Sequence, residues 1–171
     1  YQSVSTFAGN PYFISLEDLI EEKLLTREEC ESCDWGGSES YVDYEKMYMS
    51  RYKLLRKAYE RSDFLKDKDY EIFLKEEKNW LTDYCLFMAI KNSQKGICWI
   101  DWPDELKDRH SKAVKEAEKE LETEINFYRF QQYCFTTQWR KLKKYANKKG
   151  ISIIGDVPIY VALDSSDAWA N

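Results

Sequence analysis

The sequence contains a single histidine, His110, and has no glycine-rich loop of the kind that surrounds phosphates. Serine and cysteine nucleophiles usually depend on a neighbouring histidine base, and nucleotide sites depend on glycines that let the backbone approach phosphate groups. The sequence therefore offers no support for a catalytic triad or for a nucleotide site.

A long apolar run and an excess of basic residues are also lacking. No apolar stretch approaches the ~18 residues that a membrane helix needs. The 26 Lys and Arg residues are outnumbered by 31 Asp and Glu residues, which gives a formal net charge of −5. Because a nucleic-acid surface needs a basic face, we expect neither a nucleic-acid partner nor a membrane association.

The five cysteines include one Cys-X-X-Cys pair, Cys30 and Cys33, and no second pair. A structural zinc site needs four ligands at suitable spacing, and His110 lies far away in the sequence. We therefore expect no metal site. The odd number of cysteines, with Cys85 and Cys134 on apolar helical faces, favours reduced thiols in a cytoplasmic protein.

Most of the chain shows the three-and-four spacing of apolar residues that is typical of helices. Ser15 and Asp43 are predicted N-caps, and Asp43 would start a helix over residues 44–61. Further helices are predicted over residues 16–23, 69–77, 78–92 and within 104–149. Between the last two, Trp99 and Trp102 are predicted to form an apolar lid over the helices.

Residues 150–156 interrupt the helical pattern. Gly150 is a typical helix stop, and the three isoleucines that follow are broken only by Ser152. An apolar run without alternation is typical of a strand buried on both faces, as in a parallel sheet. Because one strand cannot form a sheet, we expect its partner strands to lie outside this sequence.

Asp156 follows this predicted strand directly, at the end where ligands bind in parallel α/β folds. The alternative is a turn residue, since Asp also favours loops. The loop over residues 162–169 then adds two carboxylates, two hydroxyls and Trp169. Carboxylates accept hydrogen bonds from sugar hydroxyls and aromatic rings stack on sugar faces, so this composition favours a carbohydrate site.

The position of this segment also indicates how much of the protein the sequence covers. The first methionine is Met47. The chain stops two residues after Trp169, immediately after the loop whose composition favours a carbohydrate site. We therefore expect the sequence to be an internal piece of a longer protein.

Five groups of residues, in chain order, form a recognisable set. They are Tyr1-Gln2-Ser3 with Phe7-Ala8-Gly9-Asn10-Pro11, Asp43-Tyr44 with Tyr48, Trp80-Leu81 with Asp83-Tyr84 and Leu86-Phe87-Met88-Ala89, Trp99 with Trp102-Pro103, and Gly150 through Trp169 with Gly155-Asp156 at its centre. Together they resemble the amylomaltase family, the 4-α-glucanotransferases of glycoside hydrolase family 77. The matches cover nearly the whole chain.

The resemblance implies an α/β fold class: part of a (β/α)₈ barrel with a helical insertion, in which the present segment is mostly α-helical with one or few strands. Residues 1–15 would form a barrel loop and residues 16–110 a helical insertion subdomain. Residues 111–171 would supply a barrel helix, the third barrel strand and its active-site loop.

The resemblance also implies a retaining transfer of α-1,4-glucan segments to glucose or glucan acceptors. In such enzymes an Asp attacks the anomeric carbon, a Glu acts as acid and then base, and a second Asp steadies the distorted ring. These carboxylates follow later strands, beyond Asn171, so no catalytic residue is expected in this chain. We expect the isolated chain to be inactive, maltooligosaccharides to be the partners of the full protein, and no metal or organic cofactor.

Individual residues match substrate-binding positions of the family. Asp156 matches an Asp that contacts the sugar in the −1 subsite, and Tyr1 matches the Tyr that stacks on that sugar. Tyr48 matches a Tyr of a remote glucan-binding groove, although its place beside Met47 in the helical stripe also fits a core residue.

Asp164, Ser165 and Trp169 lie in the matching active-site loop, where the resemblance implies a role by position alone. Two alternatives to the transferase remain. One is a non-catalytic helical module that binds glucan or another protein, and the other is a different barrel enzyme that shares only the strand-end Asp156.

Overall fold

The computed structural model describes residues 3–38, 40–156 and 158–171, and all regular structure within these residues is helical. The α-helices are α1 (Leu16–Glu21), α2 (Arg27–Glu31), α3 (Tyr44–Arg61), α4 (Lys68–Glu76), α5 (Leu81–Ser93), α6 (Asp104–Lys107), α7 (Ser111–Glu120), α8 (Glu122–Lys148) and α9 (Ser166–Ala170). Short 3₁₀ helices occupy Pro11–Phe13, Phe64–Lys66 and Trp99–Asp101. None of the described helices combines the length and hydropathy that crossing a membrane requires.

The predicted N-caps begin their helices. The Ser15 hydroxyl accepts a hydrogen bond from the Asp18 N–H at 3.1 Å, and the Asp43 carboxylate accepts one from the Lys46 N–H at 3.1 Å. Each cap satisfies an N–H group that the first helical turn leaves without an internal partner. The predictions of α1 and α3 are confirmed, and α3 has the predicted bounds.

The core lies where α8 crosses α5 and α3. Leu55 on α3, Phe87 on α5 and Phe127 on α8 are all buried in one continuous apolar cluster. The same cluster includes Ile14 from the N-terminal segment and Trp169 from α9. Helix α5 buries side chains on nearly every side, as its sequence predicted.

The helical region over 104–149 is divided into α6, α7 and α8. Arg109, between α6 and α7, has a backbone φ of +55°, which α-helical geometry excludes. Its guanidinium donates a hydrogen bond to Asp83 at 2.6 Å and lies 4.2 Å from the centre of the Trp169 ring. These tertiary contacts hold Arg109 in a conformation that helix propensity alone would not select.

Helix α8 ends where its sequence predicted. Gly150 has a φ of +76°, and the Ile151 N–H donates back to the Ala146 carbonyl at 3.0 Å, which is a typical glycine stop. The strand predicted beyond it is wrong for the described residues, since residues 151–156 are irregular and exposed. A strand needs a neighbouring strand to pair its backbone groups, and the described residues include none. The prediction of a mostly α-helical chain is confirmed.

Candidate functional site

The residues with predicted sugar contacts fall in separate parts of the chain. Tyr1 lies outside the described residues. Asp156 is exposed, in the irregular segment that follows α8. Tyr48 on α3 is 44% exposed, and its ring centre lies 4.4 Å from that of Tyr52. Tyr48 is therefore a surface residue and not part of the core.

The surface around Tyr48 is rich in aromatic rings. Tyr44, one turn earlier on α3, is exposed, and Tyr52, one turn later, packs against Phe127 of the core. Burial raises the pKa of Tyr12, and the neighbouring Tyr48 raises it further. Tyr12, Tyr44 and Tyr48 thus form an aromatic patch that is at least partly exposed to solvent.

The side chains of Asp164 and Ser165, in the loop over residues 162–169, make hydrogen bonds within the protein. The Asp164 carboxylate accepts a hydrogen bond from Lys91 Nζ on α5 at 2.7 Å. The Ser165 hydroxyl donates to the Ala162 carbonyl at 2.5 Å and accepts from the Ala168 N–H at 3.1 Å, which caps α9. In this structure Asp164 and Ser165 hold the loop on the helices.

Trp169 anchors α9 in the core. Its side chain is only 4% exposed, and its ring centre lies 5.7 Å from that of Trp102 and 5.9 Å from that of Phe87. Its indole N–H donates to the Leu106 carbonyl at 3.0 Å, so the one polar atom of the ring is satisfied. Trp102 is buried too, which confirms the predicted lid.

Helix α9 is joined to the N-terminal segment by a network that the sequence analysis did not find. Ser166 N–H donates to the Val4 carbonyl at 2.8 Å. The Asp167 carboxylate accepts hydrogen bonds from Ser5 Oγ at 3.0 Å, from the Thr6 N–H at 2.6 Å and from Thr6 Oγ1 at 2.8 Å. No local spacing signals a contact across about 160 residues, so only the three-dimensional structure shows it.

Two glutamines of α8 hold the next part of the N-terminal segment. Gln132 accepts from the Gly9 N–H at 2.8 Å and donates to the Gly9 carbonyl at 2.9 Å. Gln138 makes the same pair with the backbone of Ser15, at 2.7 Å and 3.2 Å. A Cβ on Gly9 would lie 2.0 Å from the Phe135 ring, so only glycine permits this close approach. Residues 4–15 are thereby fixed on both α9 and α8.

A groove of about 740 Å³ runs along the C-terminal half of α8. Its lining is mainly apolar and includes Phe13, Trp139, Leu142 and Tyr145. None of the candidate residues that the structure describes lines this groove. The groove is therefore separate from the predicted sugar contacts within this chain.

The described residues contain no group of three or more His, Cys, Asp or Glu side chains that could hold a metal ion. Cys30 and Cys33 are both free thiols, and burial raises the pKa of Cys30. A raised pKa lowers the fraction of reactive thiolate of Cys30 at neutral pH. Among the described residues, the Cys-X-X-Cys pair has no third ligand for a metal ion.

The family model of the 4-alpha-glucanotransferases matches residues 1–171. The chain belongs to this family. The 4-alpha-glucanotransferase of Clostridium butyricum is 44% identical over 171 residues, which is all of this chain and 35% of that protein. The 4-alpha-glucanotransferase of Streptococcus pneumoniae is 44% identical over 173 residues, all of this chain and 34% of that protein.

A solved structure of a 4-alpha-glucanotransferase relative shows the same architecture. The amylomaltase from Streptococcus agalactiae in complex with acarbose superposes with a TM-score of 0.91 at 36% identity, covering 99% of this chain and 34% of the other. The chain thus spans about a third of the length of the relatives it matches. The family resemblance inferred from the ordered motifs is confirmed.

Proposed function

We propose that the protein containing this chain is a 4-α-glucanotransferase that transfers α-1,4-glucan segments to glucose or glucan acceptors. The observation that carries the proposal is the likeness, over 99% of the chain, to an amylomaltase solved with acarbose. Maltooligosaccharides are then both the donors and the acceptors. With five free cysteines, the protein fits a reducing compartment, and we assign it to the cytoplasm.

The chain would form part of a (β/α)₈ barrel, with residues 1–15 as a barrel loop and residues 16–110 as a helical insertion. Residues 111–171 would provide a barrel helix, the third strand and its loop. The exposed apolar side chains that follow α8 support this arrangement, since Ile154 is 95% exposed here and would be covered by neighbouring strands of the barrel.

In this arrangement the chain binds substrate and the remaining two thirds of the protein supply the catalytic carboxylates. The reaction is a double displacement: an Asp forms a glycosyl-enzyme bond, a Glu protonates the leaving oxygen, and the same Glu then activates an acceptor hydroxyl. Asp156 would accept hydrogen bonds from the sugar in the −1 subsite, where Tyr1 would stack. Tyr48 and its aromatic patch would hold a glucan away from the reacting bond.

A hybrid enzyme tests the proposal: residues 1–171 replace the matching 35% of the Clostridium butyricum 4-alpha-glucanotransferase. We expect the hybrid to convert maltotriose to glucose and longer maltooligosaccharides, and the 171-residue chain alone to produce none. Product formation by the chain alone would contradict the placement of the catalytic groups. A hybrid that unfolds cooperatively but neither binds nor transfers maltooligosaccharides would contradict the function.

The exposed aromatic patch on α3 also favours a second candidate, a non-catalytic glucan-binding module. Tryptophan fluorescence during a maltoheptaose titration of the 171-residue chain tests it. Under this candidate Tyr48→Ala weakens binding, because a stacking face is lost, while Tyr160→Ala does not. Tyr160 is a matched control because it is also an exposed tyrosine, outside the patch. Binding that is equal in both variants would reject the patch as the site.

A further inference from the structure

We propose that Asp167 is a positioning residue: its carboxylate fixes the N-terminal segment, residues 5–8, on helix α9, which follows the segment that carries Asp156. The inference rests on the proposed function, in which Tyr1 and Asp156 contact the same sugar. Asp167 itself is assigned no contact with the substrate.

The carboxylate collects hydrogen bonds from the N-terminal segment and from α9 itself. Oδ2 accepts from the Thr6 N–H and from Thr6 Oγ1, while Oδ1 accepts from Ser5 Oγ and, at 3.2 Å, from Ser166 Oγ. Four donors thus converge on two oxygens, at 2.6 to 3.2 Å. Hydrogen bonds to a charged acceptor are stronger than neutral ones, and Ser5 is buried, so water competes little for its hydroxyl.

The carboxylate also sets the orientation of the Ser5 hydroxyl. Because this hydroxyl donates its proton to Asp167, its lone pairs are free to accept from the N–H groups of Phe7 at 3.1 Å and Ala8 at 3.4 Å. Val4 is held by Ser166, whose N–H donates to its carbonyl and whose hydroxyl is shared between that carbonyl and Asp167 Oδ1. One acidic side chain therefore organises the backbone from Ser5 to Ala8.

The element that carries Asp167 is itself fixed. Trp169, two residues later on α9, is buried in the core, and Asp164, three residues earlier, is paired with Lys91 of α5. Asp156 lies eight residues before Asp164 in the sequence. Helix α9 is thus fixed on the core through Trp169 and Asp164, and from this helix one carboxylate holds the N-terminal segment.

This anchor matters for the predicted sugar site because Tyr1 is only a few residues away from it in the sequence. An extended chain advances by about 3.3–3.6 Å per residue, so a residue three positions from a fixed one stays within about 11 Å of it. Tyr1 is three positions before Val4 in the sequence. A displacement of reacting or stacking groups by about 1 Å is enough to lower activity about 100-fold.

Hydrogen–deuterium exchange of the 171-residue chain tests the anchor itself. Asp167→Asn preserves shape but offers one acceptor oxygen instead of two and removes the charge. We expect the amides of Thr6 and Phe7 to exchange about 10- to 100-fold faster, while those of α5 stay unchanged. Asp108→Asn, which removes an exposed carboxylate elsewhere, is the matched control. Unchanged exchange at Thr6 would overturn the inference.

Acarbose binding and transfer kinetics of the hybrid enzyme separate positioning from simple stability. For Asp167→Asn we expect the Kd for acarbose and the KM for maltotriose to rise about tenfold in the folded fraction. Thr6→Val, which removes one of the four donors to the carboxylate, should raise both about threefold, and Thr6→Ser should restore them. A merely structural residue would lower the amount of folded enzyme and leave the Kd of that fraction unchanged, which would overturn the inference.

The Thr6→Val variant keeps the test informative if Asp167→Asn fails to fold, since it leaves the carboxylate in place. A folded Thr6→Val hybrid with wild-type Kd and KM would count against positioning. If the unsubstituted hybrid folds but does not bind acarbose, the proposed function fails and the inference falls with it. If that hybrid binds and the substituted hybrids bind equally well, the inference alone fails.

Discussion

The helical body and the segment after α8 contain similar apolar side chains, but the body buries them and the segment exposes them. In the body, Leu55 and Phe87 are fully buried. In the segment over residues 151–163, Ile154 and Ile159 are almost fully exposed. Both regions would be described by composition as apolar, so composition does not explain the difference.

The difference lies in how each backbone satisfies its hydrogen bonds. A helix pairs its N–H and C=O groups internally, so it needs only an apolar surface to pack against. A strand pairs them with other strands, and the described part of the chain supplies none. The body thus satisfies its backbone hydrogen bonds within its own helices, whereas the described part of the apolar segment has no neighbouring strand with which to pair.

Limited proteolysis should show the largest contrast between the two regions. Thermolysin cleaves before large apolar residues, and cleavage requires locally extended, accessible backbone. We expect the 171-residue chain to be cut near Ile153, Ile154 or Ile159 at least 100-fold faster than at Leu55, as measured by mass spectrometry of the fragments. First cleavage within α3 or α5 would show that the body is not the stable part.

Matched truncations should show the next largest effect. Phe87→Ala leaves a cavity in the core, and such changes cost about 3–5 kcal/mol of unfolding free energy. Ile154→Ala removes an exposed side chain, and such changes usually stay within about 0.5 kcal/mol. Urea unfolding followed by circular dichroism measures both. A loss above about 1 kcal/mol for Ile154→Ala would mean that the segment packs on the body.

Local signals in the sequence were enough to predict much of this body. Ser15 and Asp43 start their helices because an N-cap bond forms within three residues. Gly150 ends α8 because only glycine adopts a φ of +76° without strain. Such features depend on neighbours in the sequence, so the pattern alone specifies them.

The candidate site was less predictable because its contacts join distant residues. The loop composition around Asp164 and Trp169 favoured sugar binding, yet in the structure Trp169 packs against Trp102 and Asp164 pairs with Lys91. A carboxylate that binds a lysine and one that binds a hydroxyl look the same in a sequence. The ordered motifs predicted the family, but the network of Asp167 has no local signature.

Two adjacent glutamines of α8 offer a third test, of how the body holds the N-terminal segment. Both are fully buried, but Gln132 pairs with the Gly9 backbone whereas the amide atoms of Gln131 have no hydrogen-bond partner among the described residues. We expect Gln132→Met to lower the unfolding free energy by about 1–3 kcal/mol, because buried backbone groups lose their partners. Gln131→Met should be neutral or stabilising, since it removes unpaired buried polar atoms.

The same urea measurements separate the two substitutions, and the shared residue type and burial make each the control for the other. Equal losses of unfolding free energy for both variants would show that stability depends on side-chain volume at these positions and not on the hydrogen bonds of Gln132. A larger loss for Gln131→Met would show that its amide has a role that the hydrogen bonds of the body do not reveal.

The smallest expected effect concerns the acid stability of the body. Glu29 on α2 accepts two hydrogen bonds from Arg61, at 2.7 and 2.8 Å, and one from Lys57 at 2.9 Å. The hydrogen bonds from Arg61, followed by those from Lys57 and the Thr26 N–H, hold the pKa of Glu29 well below its ordinary range. Its contribution to stability is therefore complete above the unfolded-state pKa of about 4.3 and is lost progressively as the pH falls from that value through the lower folded-state pKa.

Unfolding midpoints of the native chain and of Glu29→Gln, measured between pH 7 and pH 3, check this sign. We expect the native chain to be slightly more stable at pH 7 and the difference to shrink as the pH falls toward 3, with high salt reducing it throughout, because the carboxylate lies at the surface. Glu31→Gln, an exposed carboxylate on the same helix, should show a smaller difference at pH 7. A gap between the native chain and Glu29→Gln that widens in acid would contradict this assignment, since it would require Glu29 to be more stabilising when protonated.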